Sequence, residues 1–169
     1  NGDIVKIVFP KNISVKRWEK NHNSASINYG PLTFSLKIKE KYVEKPSEKT
    51  AISDSRWQKN VDKKMWPTYE IYPESDWNYG LILNENLNNS FKVIKKDWPK
   101  DNFPFTNESS PISIKAYAKK IPNWKIDEHN LTGELIDSPI ESIEKTEIIE
   151  LVPMGGSRLR ISSFPVIKN

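Results

Sequence analysis

The chain has 169 residues, enough for one domain with a sizeable core and too few for two independent domains. Six Trp, six Tyr and six Phe exclude a disordered chain, and the absence of cysteine excludes disulfides and thiolate metal sites. The formal net charge of +4 comes with neither a basic helix nor an Arg-rich groove, and no window approaches the roughly 18 apolar residues of a membrane helix. We therefore expect neither nucleic acid nor a membrane as a partner.

The first predicted element is a strand at residues 4–9, where the sequence IVKIVF is rich in β-branched residues. This strand begins almost at the first residue, which is unusual for a natural protein. We therefore expect residues 1–169 to form a single β-sandwich domain that is the C-terminal piece of a larger chain.

Strand patterns then recur along the sequence. The clearest lies at residues 33–39, where alternation places Phe34, Leu36 and Ile38 on one face of a half-buried strand. Further strands are predicted at residues 68–72, 91–95, 112–119 and 158–162. These patterns predict an all-β fold, an antiparallel, jelly-roll-like β-sandwich with long loops and at most a short helix.

The best helix candidate is residues 53–64. Ser53 or Asp54 could cap it, and Trp57 and Val61 have the i, i+4 spacing of one helix face. The surrounding residues 40–64 form the most polar part of the chain, which favours a long excursion from the fold.

A glycine turn is predicted near the C-terminus. Gly155-Gly156 lies between the apolar run at residues 148–152 and the alternating residues 159–161, a pattern typical of an antiparallel hairpin. The turn lacks the lysine and the following helix of a phosphate-binding loop, so we predict no cofactor.

The most informative stretch for function is residues 66–81, which mixes aromatic rings with Asn, Asp and Glu. Flat rings stack on sugar rings while the polar groups bond hydroxyls, but the same residue types also suit a domain interface or a sandwich core. All three interpretations stay open. The candidate carbohydrate-binding or domain-interface residues are Trp66, Tyr69, Trp77, Asn78 and Tyr79.

Catalytic residues are not predicted in this chain. The only histidines, His22 and His129, lie in polar stretches without metal-ligand or nucleophile–base spacing. Glu70, Glu74 and Asp76 lie close together in sequence, which does not establish the separation that a glycosidase pair needs. We therefore predict neither a catalytic nor a metal site, and no enzyme activity for this chain alone.

Several segments taken in order resemble the C-terminal β-sandwich region of β-L-arabinofuranosidase-like glycoside hydrolases. They are GDIVKIVFP at residues 2–10, YGPLTFSL at 29–36, SDWNYGL at 75–81, IPNW at 121–124 and LVPMGGSRLRISSFP at 151–165. The matching segments spread over most of the chain, although residues 40–64 and 84–110 contain none of them.

The resemblance implies a non-catalytic accessory domain of a bacterial, secreted or periplasmic enzyme that acts on plant-type polysaccharide. In that family the chemistry belongs to a preceding (α/α)₆ helical barrel, which would be the partner of this domain. An oligo- or polysaccharide is the other expected partner. The alternative is a free-standing carbohydrate-binding module with an aromatic stacking surface.

Overall fold

The structure is a computed structural model that describes residues 2–9, 11–45 and 65–168. Nine strands and one short helix are found in these ranges. They are β1 (Ile13–Trp18), β2 (Ser24–Tyr29), β3 (Leu32–Leu36), β4 (Glu40–Lys45), β5 (Thr68–Pro73), β6 (Tyr79–Leu81), α1 (Leu87–Ser90), β7 (Phe91–Lys95), β8 (Ile112–Lys120) and β9 (Thr146–Pro153). A 3₁₀ turn at Met154–Gly156 follows β9.

The main sheet is antiparallel throughout and has the order β1-β2-β3-β9-β8-β6, with β7 also pairing with β8. Strands β6 and β7 lie end to end along the same edge of β8, because Leu81 pairs with Ala118 and Phe91 pairs with Ala116. The loop at residues 82–90, which contains α1, therefore interrupts one long edge.

The C-terminal strap, residues 157–168, joins β2, the second strand of the curled sheet, to β6 at its far edge. Its Phe164 forms a backbone bridge with Ala25 of β2, with N···O distances of 2.8 and 2.9 Å. Its Val166 bridges Leu81 of β6, where the Leu81 N–H donates to the Pro165 carbonyl at 2.9 Å. The strap therefore links strands that stand four places apart in the sheet order.

The concave side of the curled sheet holds the core. Alternation along the central strands places Ile114, Ala116 and Ala118 of β8 inside, while Lys115 and Tyr117 point outward and are exposed. The largest side chains that are fully buried in this core are Phe34, Phe164, Ile27, Leu81, Ile114 and Leu151.

Strands β4 and β5 form a separate two-stranded sheet, the projecting hairpin. It leaves the main sheet after β3. The Glu40 carboxylate attaches it to the strap, since its Oε1 accepts hydrogen bonds from the backbone N–H groups of Arg158 at 2.8 Å and Leu159 at 3.0 Å.

The all-β, sandwich-like fold predicted from the sequence is confirmed, as are the strands predicted at residues 68–72, 91–95 and 112–119. The strand predicted at residues 33–39 ends at Leu36, although Ile38 is buried on the expected side. Ser35 is also buried, because the buried Ser157 of the strap packs over the outer face and the Ser35 hydroxyl donates to it at 3.1 Å.

Three local predictions differ from the structure or fall outside it. The hairpin at Gly155-Gly156 is wrong, as is the strand at residues 158–162, because β9 pairs with β3 and β8 and the chain beyond the turn becomes the strap. The strand at residues 4–9 is also wrong, since this segment has no regular structure and its side chains are exposed. The predicted helix at residues 53–64 lies outside the described residues.

Candidate functional site

Three of the five predicted site residues are packed at the start of β6. The Trp77 ring meets the Trp124 ring edge to face, with 5.1 Å between centroids. The Asn78 amide donates to the carbonyls of Ile121 at 3.0 Å and Trp124 at 3.2 Å. Two of the segments that carry the family resemblance, residues 75–81 and 121–124, therefore pack against each other.

Tyr79 belongs to the core. Its ring is buried, and its hydroxyl donates to Glu147 Oε2 at 3.2 Å. Burial, together with the negative charge of Glu147 and its hydrogen bond, raises the pKa of Tyr79 to about 12. Tyr79 and the amide of Asn78 are thus engaged within the fold.

The other two predicted residues lie on the projecting hairpin. Trp66, just before β5, is 66% exposed, and Tyr69 on β5 is 47% exposed. The structure therefore divides the five predicted residues into an exposed pair on the hairpin and a packed group beside β6.

A groove runs between the projecting hairpin and the strap. This hairpin groove has a volume of about 680 Å³. Its walls include Tyr72 of β5, Leu131 of the loop after β8 and Ile161 of the strap, with Trp77 at one side and Arg160 as a polar group. Of the five predicted site residues, Trp77 alone lines this groove. Tyr72, which also lines it, is not among the five.

A second set of rings forms an exposed aromatic surface, defined by Tyr42, Tyr69, Phe103 and Phe105. Tyr42 and Tyr69 share one face of the projecting hairpin, with ring centroids 6.1 Å apart. Phe103 and Phe105 stack edge to face at 5.5 Å in the loop between β7 and β8. Tyr42 and Phe105 line the same pocket, which connects the two pairs.

Sequence reasoning missed three of these four rings. Phe103 and Phe105 flank Pro104, a visible signal of an aromatic loop, but nothing in the sequence places this loop beside the hairpin. Tyr42 lies in a stretch that was read as a polar excursion, and only its pairing opposite Ile71 brings it near Tyr69.

The carboxylates near the hairpin are engaged by neighbouring groups. Glu70 accepts a hydrogen bond from the Tyr72 hydroxyl and lies 3.2 Å from the Lys45 ammonium. These two hydrogen bonds, the one from Tyr72 first, lower the pKa of Glu70. Asp76 pairs with Lys120, and this hydrogen bond raises the pKa of the lysine.

The two histidines have local partners. His22 Nδ1 lies 2.7 Å from Asp137 Oδ1, and exposed His129 lies beside Glu128. Within residues 2–9, 11–45 and 65–168, no group of three or more His, Asp or Glu side chains is placed to hold a metal ion. Within the same ranges, no helix has both the length and the apolar character needed to cross a membrane.

Comparison of the chain with protein-family models, with curated proteins and with solved structures finds no match. What the chain does must therefore be inferred from its own residues.

Proposed function

We propose that the chain is a non-catalytic accessory domain of a bacterial glycoside hydrolase that acts on plant-type polysaccharide. In this role it packs on a separate (α/α)₆ catalytic barrel and adds the projecting hairpin to the rim of the sugar cleft. The single observation that carries the proposal is the amount of apolar surface left open, at the aromatic surface and at residues 4–9.

Residues 4–9 are the contact proposed for the barrel. Ile4 is 93% exposed and Phe9 is 76% exposed, and the apolar residues between them are also exposed. Scattered apolar side chains are normal on a protein surface, but a contiguous apolar segment marks a surface that a partner covers. A strand-forming sequence without a pairing partner gains both burial and hydrogen bonds when it docks.

The aromatic surface is the contribution proposed for the cleft rim. Aromatic side chains are enriched at interfaces and at sugar-contacting surfaces, because they combine a large apolar face with low conformational entropy. Glu70 of the projecting hairpin and Asp76, which follows β5, are held in ion pairs, which favours a structural role for these carboxylates over acid–base chemistry.

Hydrogen exchange of the parent enzyme and of the isolated chain tests this proposal. The coding sequence upstream of Asn1 should encode paired helices, and the polypeptide that contains both parts should protect residues 4–9 from exchange. The isolated chain should exchange the same amides at the rate of an unstructured peptide. Equal exchange in the two forms, or a start codon or signal peptide directly before Asn1 in place of the paired helices, would contradict the accessory role.

The hairpin groove favours a second candidate function, a free-standing carbohydrate-binding module. Trp77 and Tyr72 supply rings there, and Arg160 supplies donors to sugar hydroxyls. Loss of oligosaccharide affinity in both Trp77→Ala and Tyr72→Ala would support this function. Trp77 also packs on Trp124, so loss of affinity in the Trp77 variant alone could come from misfolding, and the Tyr72 variant controls for this. Titrations that do not saturate would exclude the carbohydrate-binding module.

A further inference from the structure

A polar pocket opens within the aromatic surface. It has a volume of about 270 Å³ and lies between β4, the loop residues 105–108 and the first part of the strap. Tyr42 and Phe105 both line it, and both are about half exposed, at 50% and 57%. The pocket therefore offers aromatic rings around a polar interior, open to solvent.

The base of this pocket is fixed by hydrogen bonds. The buried Asn107 amide donates to the Ile38 carbonyl at 3.0 Å and accepts from the Ser157 hydroxyl at 2.7 Å. The carboxylate of Glu40 accepts from two backbone N–H groups of the strap and, at 2.8 Å, from the Tyr42 hydroxyl. Because these groups already satisfy one another, the pocket is preformed and little ordering is needed on binding.

Gly156 lets the turn after β9 lie close to the loop at residues 105–108. A Cβ atom on Gly156 would lie 3.3 Å from the Thr106 carbonyl oxygen and 3.5 Å from the Phe105 carbonyl carbon. These are backbone atoms in close contact range, so a side chain here would require the loop to shift by a few tenths of an ångström. The turn after β9 and this loop are therefore closely packed.

Two charged side chains remain available to a ligand. Glu108 is exposed, and its carboxylate has no hydrogen-bond partner among the residues that the structure describes. Arg158 is exposed and lines the pocket, where its guanidinium forms a hydrogen bond with the Tyr42 hydroxyl. A guanidinium carries five N–H donors, so the others can serve a ligand. A carboxylate that accepts and a guanidinium that donates can together bind neighbouring hydroxyl groups.

The charge of the pocket selects the class of ligand. Its charged lining residues are Glu40, Glu108 and Arg158, two negative and one positive. An anionic ligand would meet excess negative charge, and like charges at close range are costly. An uncharged ligand with several hydroxyls and an apolar ring face fits both the charge and the aromatic rings.

We propose that the polar pocket binds one ring of a neutral oligosaccharide. Tyr42 and Phe105 contact the apolar face of the ring, Glu108 accepts from its hydroxyls and Arg158 donates to its oxygens. The biological setting of this subsite rests on the proposed position of the hairpin at the cleft rim. The affinity of the pocket is a property of the chain alone.

The test is a titration of the 169-residue chain, followed by NMR, with neutral arabino- and xylo-oligosaccharides and with glucuronic acid as an anionic probe. Saturable binding of at least one neutral oligosaccharide is expected, with affinity reduced about tenfold or more in Phe105→Ala and in Glu108→Gln, since each removes a contact of the order of 1.4 kcal/mol. Tyr117→Ala is the matched control, because Tyr117 is a similarly exposed ring on β8 outside the pocket, and it should bind as the unaltered chain does.

Three results would overturn the inference. They are absence of saturable binding, tighter binding of glucuronic acid than of the neutral probes, and binding lost in Tyr72→Ala while Phe105→Ala and Glu108→Gln bind normally, which would move the site to the hairpin groove. None of these alters the exchange behaviour of residues 4–9, so failure of the pocket and failure of the accessory role are separable.

Discussion

Gly80, in the middle of β6, lies where the fold has no space for a side chain. A Cβ atom would come within 2.6 Å of Ile167 Cδ1 and 2.9 Å of Ile121 Cδ1. Both isoleucines are buried, one in the strap and one after β8. Gly80 therefore sets how closely the strap can lie against the sheet.

Gly80→Ala is expected to destabilise the chain by about 1–3 kcal/mol, the usual cost of forcing an extra group into a packed core. Urea unfolding followed by tryptophan fluorescence measures it. Gly155→Ala is the matched control, since a Cβ atom at Gly155 meets nothing within 4 Å, and its unfolding midpoint should not change. Equal stability of the two variants would show that the isoleucines yield without cost.

Tyr79 makes the stability of the chain depend on pH in the alkaline range. Its pKa is about 12 in the folded state and about 10 in an unfolded chain. Below pH 10 Tyr79 is protonated in both the folded and the unfolded chain, so its contribution to the free energy of unfolding is fully present there. As the pH rises from 10 towards 12 only the unfolded state ionises, and folding loses up to about 1.4 kcal/mol per pH unit.

Tyr79→Phe should therefore lose less stability than the unaltered chain between pH 9 and 11. Thermal unfolding at a series of pH values measures the two slopes. Parallel slopes would mean that the Tyr79 proton is not held more tightly in the folded state.

At the same scale, the sequence identified a stretch rich in aromatic and polar residues but did not predict which groups these side chains contact in the fold. The amide of Asn78 has the chemistry of a sugar contact, yet its acceptors are the carbonyls of Ile121 and Trp124, more than forty residues later. Such partners depend on the pairing of β6 with β8, which no local pattern encodes.

At the scale of elements, alternation predicted the strands that have one buried face and one open face. Residues 114–118 follow the rule because β8 is central and pairs on both sides, whereas Ser113 is buried although it lies on the outer face. Alternation reports burial and not pairing, so residues 158–162 gave the same signal although they form part of the strap. Residues 4–9 have the composition of a strand but pair with no strand in the part of the chain that the structure describes.

The Glu40 carboxylate joins the projecting hairpin to the strap. Glu40→Ala leaves the N–H groups of Arg158 and Leu159 without their acceptor and should cost about 1–3 kcal/mol locally. Hydrogen exchange should rise in β4 and β5 and stay unchanged in β8. Glu44→Ala, an exposed carboxylate on the same face of β4, is the control. A uniform rise across all strands would mean that the hairpin and the main sheet unfold as one unit.

At the scale of the whole molecule, the strap bridges β2 and β6 across the curled sheet. Its backbone meets β3 at Leu36, β2 at Ala25 and β6 at Leu81, and it also bridges Ile140 in the loop before β9. These segments are far apart in sequence, so the fold cannot be completed before the last residues are in place. Phe164 of the strap belongs to the hydrophobic core and is fully buried.

Phe164→Ala should destabilise the whole fold by about 3–5 kcal/mol, a large part of the 5–15 kcal/mol that holds a typical domain together. Because the strap bridges β2 and β6, hydrogen exchange should rise in both strands together, although they are not neighbours. Phe103→Ala, which removes a half-exposed ring from the aromatic surface, should change stability by less than about 1 kcal/mol. A rise in exchange confined to the strap itself would show that the sheet keeps its structure without the bridges to β2 and β6. The strap would then pack on the sheet without stabilising it.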